Sequence, residues 1–290
     1  MKFNLQNTRS ILVGVGRSCV HYLVAKSDCQ ACLAVCPSGA VILENGRVQI
    51  DTDACIACGA CLFACPTAAI ETPEPPRRYY RDTSLVMPLS VTPPTVDELL
   101  MWHAQLQIRA VEFNIALYPD WVVAIAALNL RLKKLKQPLW AIVPAQETAI
   151  DKGRRHWLQL KNGENQTGSV TPGRRARRAS FPETSEYQVI VDKSRCFLCG
   201  ACARICPEAA IQMDSESMVL NSTRCTSCGC CQEICLPEAL KIVEEKQNSQ
   251  TVLPLFQNRC NTCHRSFSCW SSGASQCPIC QRHVFGMRES

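Results

Sequence analysis

Apolar and polar positions alternate in Ala40-Val41-Ile42-Leu43 and in Arg47-Val48-Gln49-Ile50, with Glu44-Asn45-Gly46 between them. Alternation on both sides of an Asn-Gly turn predicts a β-hairpin. A different rhythm runs through 83–143. Residues 84–89 read as a strand, and Thr95 stands three positions before Glu98, the spacing of a capping box that opens a helix continuing over 99–110. A second strand follows at 110–115. Residues 120–136 carry apolar side chains at Val122, Ile125, Ala126 and Leu128 and gather basic residues late, as the end of a helix prefers. A third strand at 139–143 completes a βαβαβ order, which predicts a small parallel sheet. No Gly-rich phosphate loop follows the first strand, so nothing supports nucleotide binding.

Other segments lack either period. The stretch Glu71-Thr72-Pro73-Glu74-Pro75-Pro76-Arg77-Arg78 reads as an extended spacer. Residues 161–186 are polar, basic and rich in Gly and Pro, which predicts a disordered linker. The chain starts polar, and the apolar run at 11–15 is too short for a signal-peptide core, so no export signal is expected. No stretch of about 18 apolar residues exists to span a membrane.

Cysteine changes this picture. The chain has 22 in 290 residues, about 7.6%. Removing them lowers the hydrophobic share from 47% to about 39%, which predicts several small domains stapled by metal rather than one large core. The thiols fall in runs with gaps of two and three, the spacing of metal ligands, and a reducing, cytoplasmic location is expected. Cys55, Cys58, Cys61 and Cys65-Pro66 form one run, and Cys196, Cys199, Cys202 and Cys206-Pro207 another. Cys225, Cys228, Cys231 and Cys235 form a third, whose proline comes one place late at Pro237. All three have the C-x2-C-x2-C-x3-C spacing, and the first and third portions of the chain form an internal repeat.

These runs resemble the bacterial two-[4Fe-4S] ferredoxin family, over about 120 residues in two blocks. In that family three thiolates of a run hold one cluster and the fourth reaches its neighbour. The resemblance implies one cluster on Cys55, Cys58, Cys61 and Cys36. It implies a second on Cys196, Cys199, Cys202 and Cys235, and a third on Cys225, Cys228, Cys231 and Cys206. The remaining run, Cys29, Cys32 and Cys36-Pro37, departs from the pattern because Lys26 stands where the first cysteine belongs. Either Cys19 completes a fourth cluster with Cys29, Cys32 and Cys65, or that site holds a three-iron [3Fe-4S] cluster. A subset of multi-cluster ferredoxins has such an early first ligand, and Cys19 is the favoured reading; its alternative is a buried structural thiol.

Two further knuckles, Cys260-Asn-Thr-Cys263 and Cys277-Pro-Ile-Cys280, resemble a zinc ribbon. Rubredoxin-type iron is the alternative. His264 and His283 border the knuckles; either could replace a thiolate, and a surface or neighbouring role is the favoured reading. Cys230 and Cys269 are left without a ligand role. His103 and His156 read as packed or solvated, and nothing pairs a nucleophile with a base.

The expected fold is α+β. Two ferredoxin-like dicluster domains, 1–72 and 187–246, flank a small βαβαβ insert at 83–160, and a zinc ribbon occupies 247–290. Linkers at 73–82 and 161–186 join them. The formal charge of +6 ignores the cofactors. Four clusters at about −2 each and a zinc tetrathiolate at about −2 bring the loaded protein near −4. Lys152, Arg154, Arg155, Arg174, Arg175, Arg177 and Arg178 concentrate positive charge between the halves.

Together these features predict an electron-transfer protein relaying single electrons through up to four [4Fe-4S] clusters. It would join a donor and an acceptor redox enzyme, or serve in a larger oxidoreductase complex, rather than act as an enzyme by itself. An accessory or maturation factor for a redox enzyme is the alternative, and a nucleic-acid binder using the basic linker a third.

Overall fold

The computed structural model describes residues 11–12, 14–145, 165–244 and 250–282. His156, His283, Lys152, Arg154 and Arg155 lie outside them. The described chain forms two compact units. The first comprises residues up to Cys19 and then Gln30–Phe181; the second takes Val20–Cys29 and everything from Pro182.

In the first unit the Asn45-Gly46 turn closes the expected hairpin, with φ of 51° and 71° at its two residues. Its strands are β2 (Val41–Glu44) and β3 (Arg47–Asp51), and β1 (Ile11–Leu12) pairs antiparallel with the outer edge of β3. Val48 and Ile50 point inward at alternate positions, as period two requires. Val15 bridges Ile70, so the chain around the cysteines is held at both ends.

A five-stranded sheet follows in the order β7-β6-β5-β4-β8. Its members are β4 (Arg78–Arg81), β5 (Ser84–Leu85), β6 (Ala110–Glu112), β7 (Ala141–Val143) and β8 (Gln166–Gly168). Strands β5, β6 and β7 run parallel, and β4 lies antiparallel to both β5 and β8. Helix Val96–Gln105 opens as the capping box requires, with the Thr95 hydroxyl accepting the Glu98 N–H. Helix Pro119–Lys134 packs against it. The buried stripe of this second helix is Trp121, Ile125, Leu128 and Leu132, at helical spacing. Val122 is only half-buried and Ala126 is exposed, so the apolar residues of this segment do not all face the core.

Two boundaries also differ from the sequence reading. The expected spacer at 73–82 contains β4, and buried residues from Val15 through Trp140 form one continuous core. The expected disordered linker at 161–186 contributes β8 and helix Arg174–Ser180. Two of its four arginines are not solvated: Arg177 pairs with Asp97, and Arg178 donates to the Phe181 carbonyl at 3.0 Å. Both are buried. Among the described residues, no helix is long and apolar enough to cross a membrane.

His103 is buried in this core at 1% exposure. Its Nδ1 accepts the Trp140 indole N–H at 3.1 Å, which leaves the proton on Nε2, facing Gln137. Burial, and next the Arg109 charge, push its pKa down to about 4. The folded pKa lies below the unfolded one, so its contribution is complete above about pH 6.5 and is lost as pH falls toward 4. Urea unfolding followed by tryptophan fluorescence should show about 2 kcal/mol less stability at pH 5 than at pH 7.5, relative to a His103→Gln variant.

The second unit repeats the hairpin arrangement. Strand β9 (Gln188–Val191) pairs antiparallel with β12 (Leu240–Val243), while β10 (Ile211–Met213), β11 (Ser217–Asn221) and β13 (Gln250–Pro254) form an antiparallel sheet centred on β11. Strands β14 (Phe256–Arg259) and β15 (Ser266–Cys269) form a closing hairpin. The early segment Val20–Cys29 also belongs here: Val20 and Val24 pack on fully buried Cys230, and the Ser27 hydroxyl donates to Glu233 at 3.0 Å.

Candidate iron–sulfur and four-cysteine metal sites

Each complete run is a loop that turns back on itself before a short helix. In the loop, Ala57, Leu198 and Ser227 have φ of 52°, 55° and 55°. Gly59, Gly200 and Gly229 follow, with φ of 74°, 72° and 81°, and cap helices Ala60–Ala64, Ala201–Ile205 and Cys230–Glu233. A side chain at Gly59 would also meet the Pro76 ring at 2.6 Å, so both conformation and space demand glycine. The incomplete run lacks this shape. Gln30 takes the glycine position with φ of −124°, before helix Ala31–Ala34.

In the second unit two cavities lie among these loops. One has about 380 Å3 of empty space, solvent at its mouth included, and its walls include Cys196, Cys199, Cys202 and Cys235 with Val191, Leu198, Met218 and Leu240. The other, of about 310 Å3, is walled by Cys206, Cys225, Cys228 and Cys231 with Val189, Ile211 and Ile242. Each cavity draws three thiols from one run and the fourth from the other.

Electrostatics link the same groups. Burial, and then Cys196, Cys199 and Cys235, hold the Cys202 thiol up at about 11. Burial, followed by Cys228, Cys225 and Cys206, raises Cys231. In the first unit burial, then Cys58, Cys36 and Cys55, push Cys61 up to about 11. Four thiols packed together resist becoming four thiolates, and a multivalent cation among them offsets both the burial and the mutual repulsion. The donor set and the dry apolar walls fit an iron–sulfur cluster.

Cys19, Cys32 and Cys65 are buried in the first unit's core. Cys29 falls within the second, where its N–H donates to the Ser27 hydroxyl at 3.1 Å. Cys230, unassigned in the sequence, shares a side-chain hydrogen bond with Cys228 that lowers the Cys228 thiol against its burial.

One contribution was missed in the sequence. Four residues after the last cysteine of each run stands a buried alanine: Ala40, Ala69, Ala210 and Ala239. The N–H groups of Ala69, Ala210 and Ala239 donate to the sulfurs of Cys65, Cys206 and Cys235 at 3.2, 3.3 and 3.3 Å, and Ala40 bonds Cys36 likewise. The C-x3-A spacing was the available signal. The intervening residue always has positive φ: Gly39, Ala68, Ala209 and Glu238.

At the C-terminal end, the Sγ atoms of Cys260, Cys263, Cys277 and Cys280 all lie within 4.8 Å of one another. Cys263 and Cys277 are 3.8 Å apart. Four thiolates bonded at about 2.3 Å to one tetrahedral ion have S···S edges of about 3.8 Å, so the set fits a single metal ion. Cys260 and Cys263 sit in the β14–β15 turn, and Cys277 precedes helix Pro278–Arg282. His264 is exposed and outside the set. Cys269 donates instead to the Phe256 carbonyl at 3.3 Å.

An α+β fold with two ferredoxin-type 4Fe-4S regions defines an iron–sulfur protein of the electron-transfer class. Residues 48–71 match the 4Fe-4S binding domain family, and residues 188–236 match the 4Fe-4S dicluster domain family. A comparison with curated proteins found no match.

Proposed function

We propose that this chain relays single electrons between a donor and an acceptor redox enzyme through up to four [4Fe-4S] clusters. The observation that carries the reading is the pair of cavities in the second unit, each walled by three cysteines of one run and one of the other. The ligand sets are Cys196, Cys199, Cys202 with Cys235, and Cys225, Cys228, Cys231 with Cys206. The two sets earlier in the chain are Cys55, Cys58, Cys61 with Cys36, and Cys19, Cys29, Cys32 with Cys65; the last set rests on spacing alone. Zinc occupies Cys260, Cys263, Cys277 and Cys280. The βαβαβ portion serves as a docking scaffold in a cytoplasmic protein that is not an enzyme by itself.

When bound, each cluster supplies a reversible one-electron centre. The chain's own part is to hold it and set its potential. The thiolates fix position. The amides of Ala69, Ala210 and Ala239 direct N–H dipoles at ligand sulfurs, which favours the more negative, reduced state and raises the potential. Apolar walls such as Val191, Leu240, Ile211 and Ile242 keep water away and limit the reorganisation that accompanies a change of charge.

Anaerobic reconstitution followed by an EPR-monitored redox titration tests this. The expected result is about 16 iron atoms per chain and reversible signals between about −700 and +450 mV. Iron that is incorporated but cannot be cycled in that range overturns the relay.

A further inference from the structure

The C-terminal hairpin does more than enclose its own set of four thiols. Directly after β15, Trp270 donates its indole N–H to the carbonyl of Cys196 at 2.9 Å. Its ring packs against the same core as Cys196, and the Lys193 ammonium lies 5.4 Å from the ring centroid. Beside this contact is an open cleft with about 810 Å3 of empty space, solvent included, lined by Phe197, Phe267, Trp270 and Pro278 among others, so the indole borders both the loop that begins the Cys196 run and the segment that follows Cys277.

We propose that Trp270 is a positioning residue for the centre held by Cys196, Cys199, Cys202 and Cys235, through which metal bound at Cys260, Cys263, Cys277 and Cys280 sets that centre's reduction potential. The inference rests on the relay reading above and deepens it. The turn that presents Trp270 is pinned on one side by β14–β15 pairing, where Phe256 opposes Cys269. On the other side the Asn258 amide donates to the carbonyls of Ser272 and Ala274, at 2.9 and 2.8 Å. Both supports converge on the cysteine knuckles: Asn261 N–H donates to the Ser275 carbonyl, and Cys277 N–H to the Cys260 sulfur. Without the ion, four thiols lose the link that joins these segments, and the indole loses its fixed approach to Cys196. With it, the N–H withdraws electron density from the ligand's own peptide and covers the loop from water, and both effects bear on how readily the centre accepts charge.

Four samples separate the effects: Trp270→Phe, which keeps a ring beneath Lys193 but has no N–H; Trp270→Ala, which removes both; wild-type protein whose C-terminal metal ion has been removed by a chelator with the clusters intact; and Trp270→Ala treated in the same way. In EPR-monitored titrations, Trp270→Phe should lower the potential of one centre and leave the others unmoved. The reduction equilibrium of that centre is expected to fall by up to tenfold, which for one electron is about 59 mV. Trp270→Ala and the chelated protein should move the same centre further, and chelation of Trp270→Ala should add nothing. Amide hydrogen exchange of the peptide spanning 192–202 should rise in Trp270→Ala and in the chelated protein, and not in Trp270→Phe.

An unmoved potential in Trp270→Phe, or equal movement of every centre, overturns the proposal. So does chelation that shifts Trp270→Ala as much as wild type. A wild-type protein whose centres accept no electron defeats the relay reading instead. In that case exchange at 192–202 still decides: no change on chelation sinks the coupling.

Discussion

Replacing Cys206 with alanine is expected to remove about four iron atoms per chain, or to leave a three-iron remnant, at the site of Cys225, Cys228 and Cys231. It should do so without emptying the site that begins at Cys196, although Cys206 ends that run in sequence. The reason is the crossed arrangement of the two cavities, in which Cys206 shares a wall with Cys228 and Cys235 shares one with Cys199. Double substitutions make the result decisive. Under crossing, Cys206→Ala with Cys228→Ala loses no more iron than Cys228→Ala alone, because both act on one cluster. Cys206→Ala with Cys199→Ala loses both clusters. Ligation within each run predicts the reverse, and iron and sulfide analysis with EPR distinguishes the two.

The second large effect lies away from any cofactor. Glu98→Ala should destabilise the first unit by about 3–5 kcal/mol, the range for breaking a buried ion pair. Glu98 is 1% exposed, and the Arg78 guanidinium grips its carboxylate with two nitrogens, Nη2 to Oε2 at 2.9 Å. The Trp102 indole donates to the same carboxylate at 3.3 Å. Removing it leaves Arg78 with Ser90 and the face of Trp121, which cannot balance a desolvated charge. Urea unfolding followed by tryptophan fluorescence measures the loss. The paired change Arg78→Met with Glu98→Leu should recover most of it, since both charges then disappear together.

What could be read from the chain beforehand follows a physical line. The β2–β3 hairpin was legible because its turn chemistry is local: Asn45 and Gly46 accept the positive φ that the connection needs. So was the helix cap at Thr95, whose partner is three residues away. The cysteine runs were legible because ligand spacing is itself a local geometry. Segment 166–180 was misread, since its arginines look solvated until Asp97, 80 positions before Arg177, is placed beside one of them. The membership of Val20–Cys29 in the second unit was hidden for the same reason. Composition counts charges and prolines; it carries no information about a partner supplied by distant folding. The alanines behind each run were visible but unremarkable, because alanine signals nothing until its N–H is seen facing sulfur.

That discontinuous membership has a consequence for biosynthesis. Ser27 leaves the ribosome 206 positions before Glu233, the carboxylate that receives its hydroxyl. Val20 and Val24 likewise emerge long before Cys230, the residue they cover. The second unit therefore cannot close as translation proceeds; its earliest strand of chain must wait, apolar side out, until the last third has been made. A fragment beginning at Pro182 would keep the thiols of its two cavities and still lack this piece of its own body.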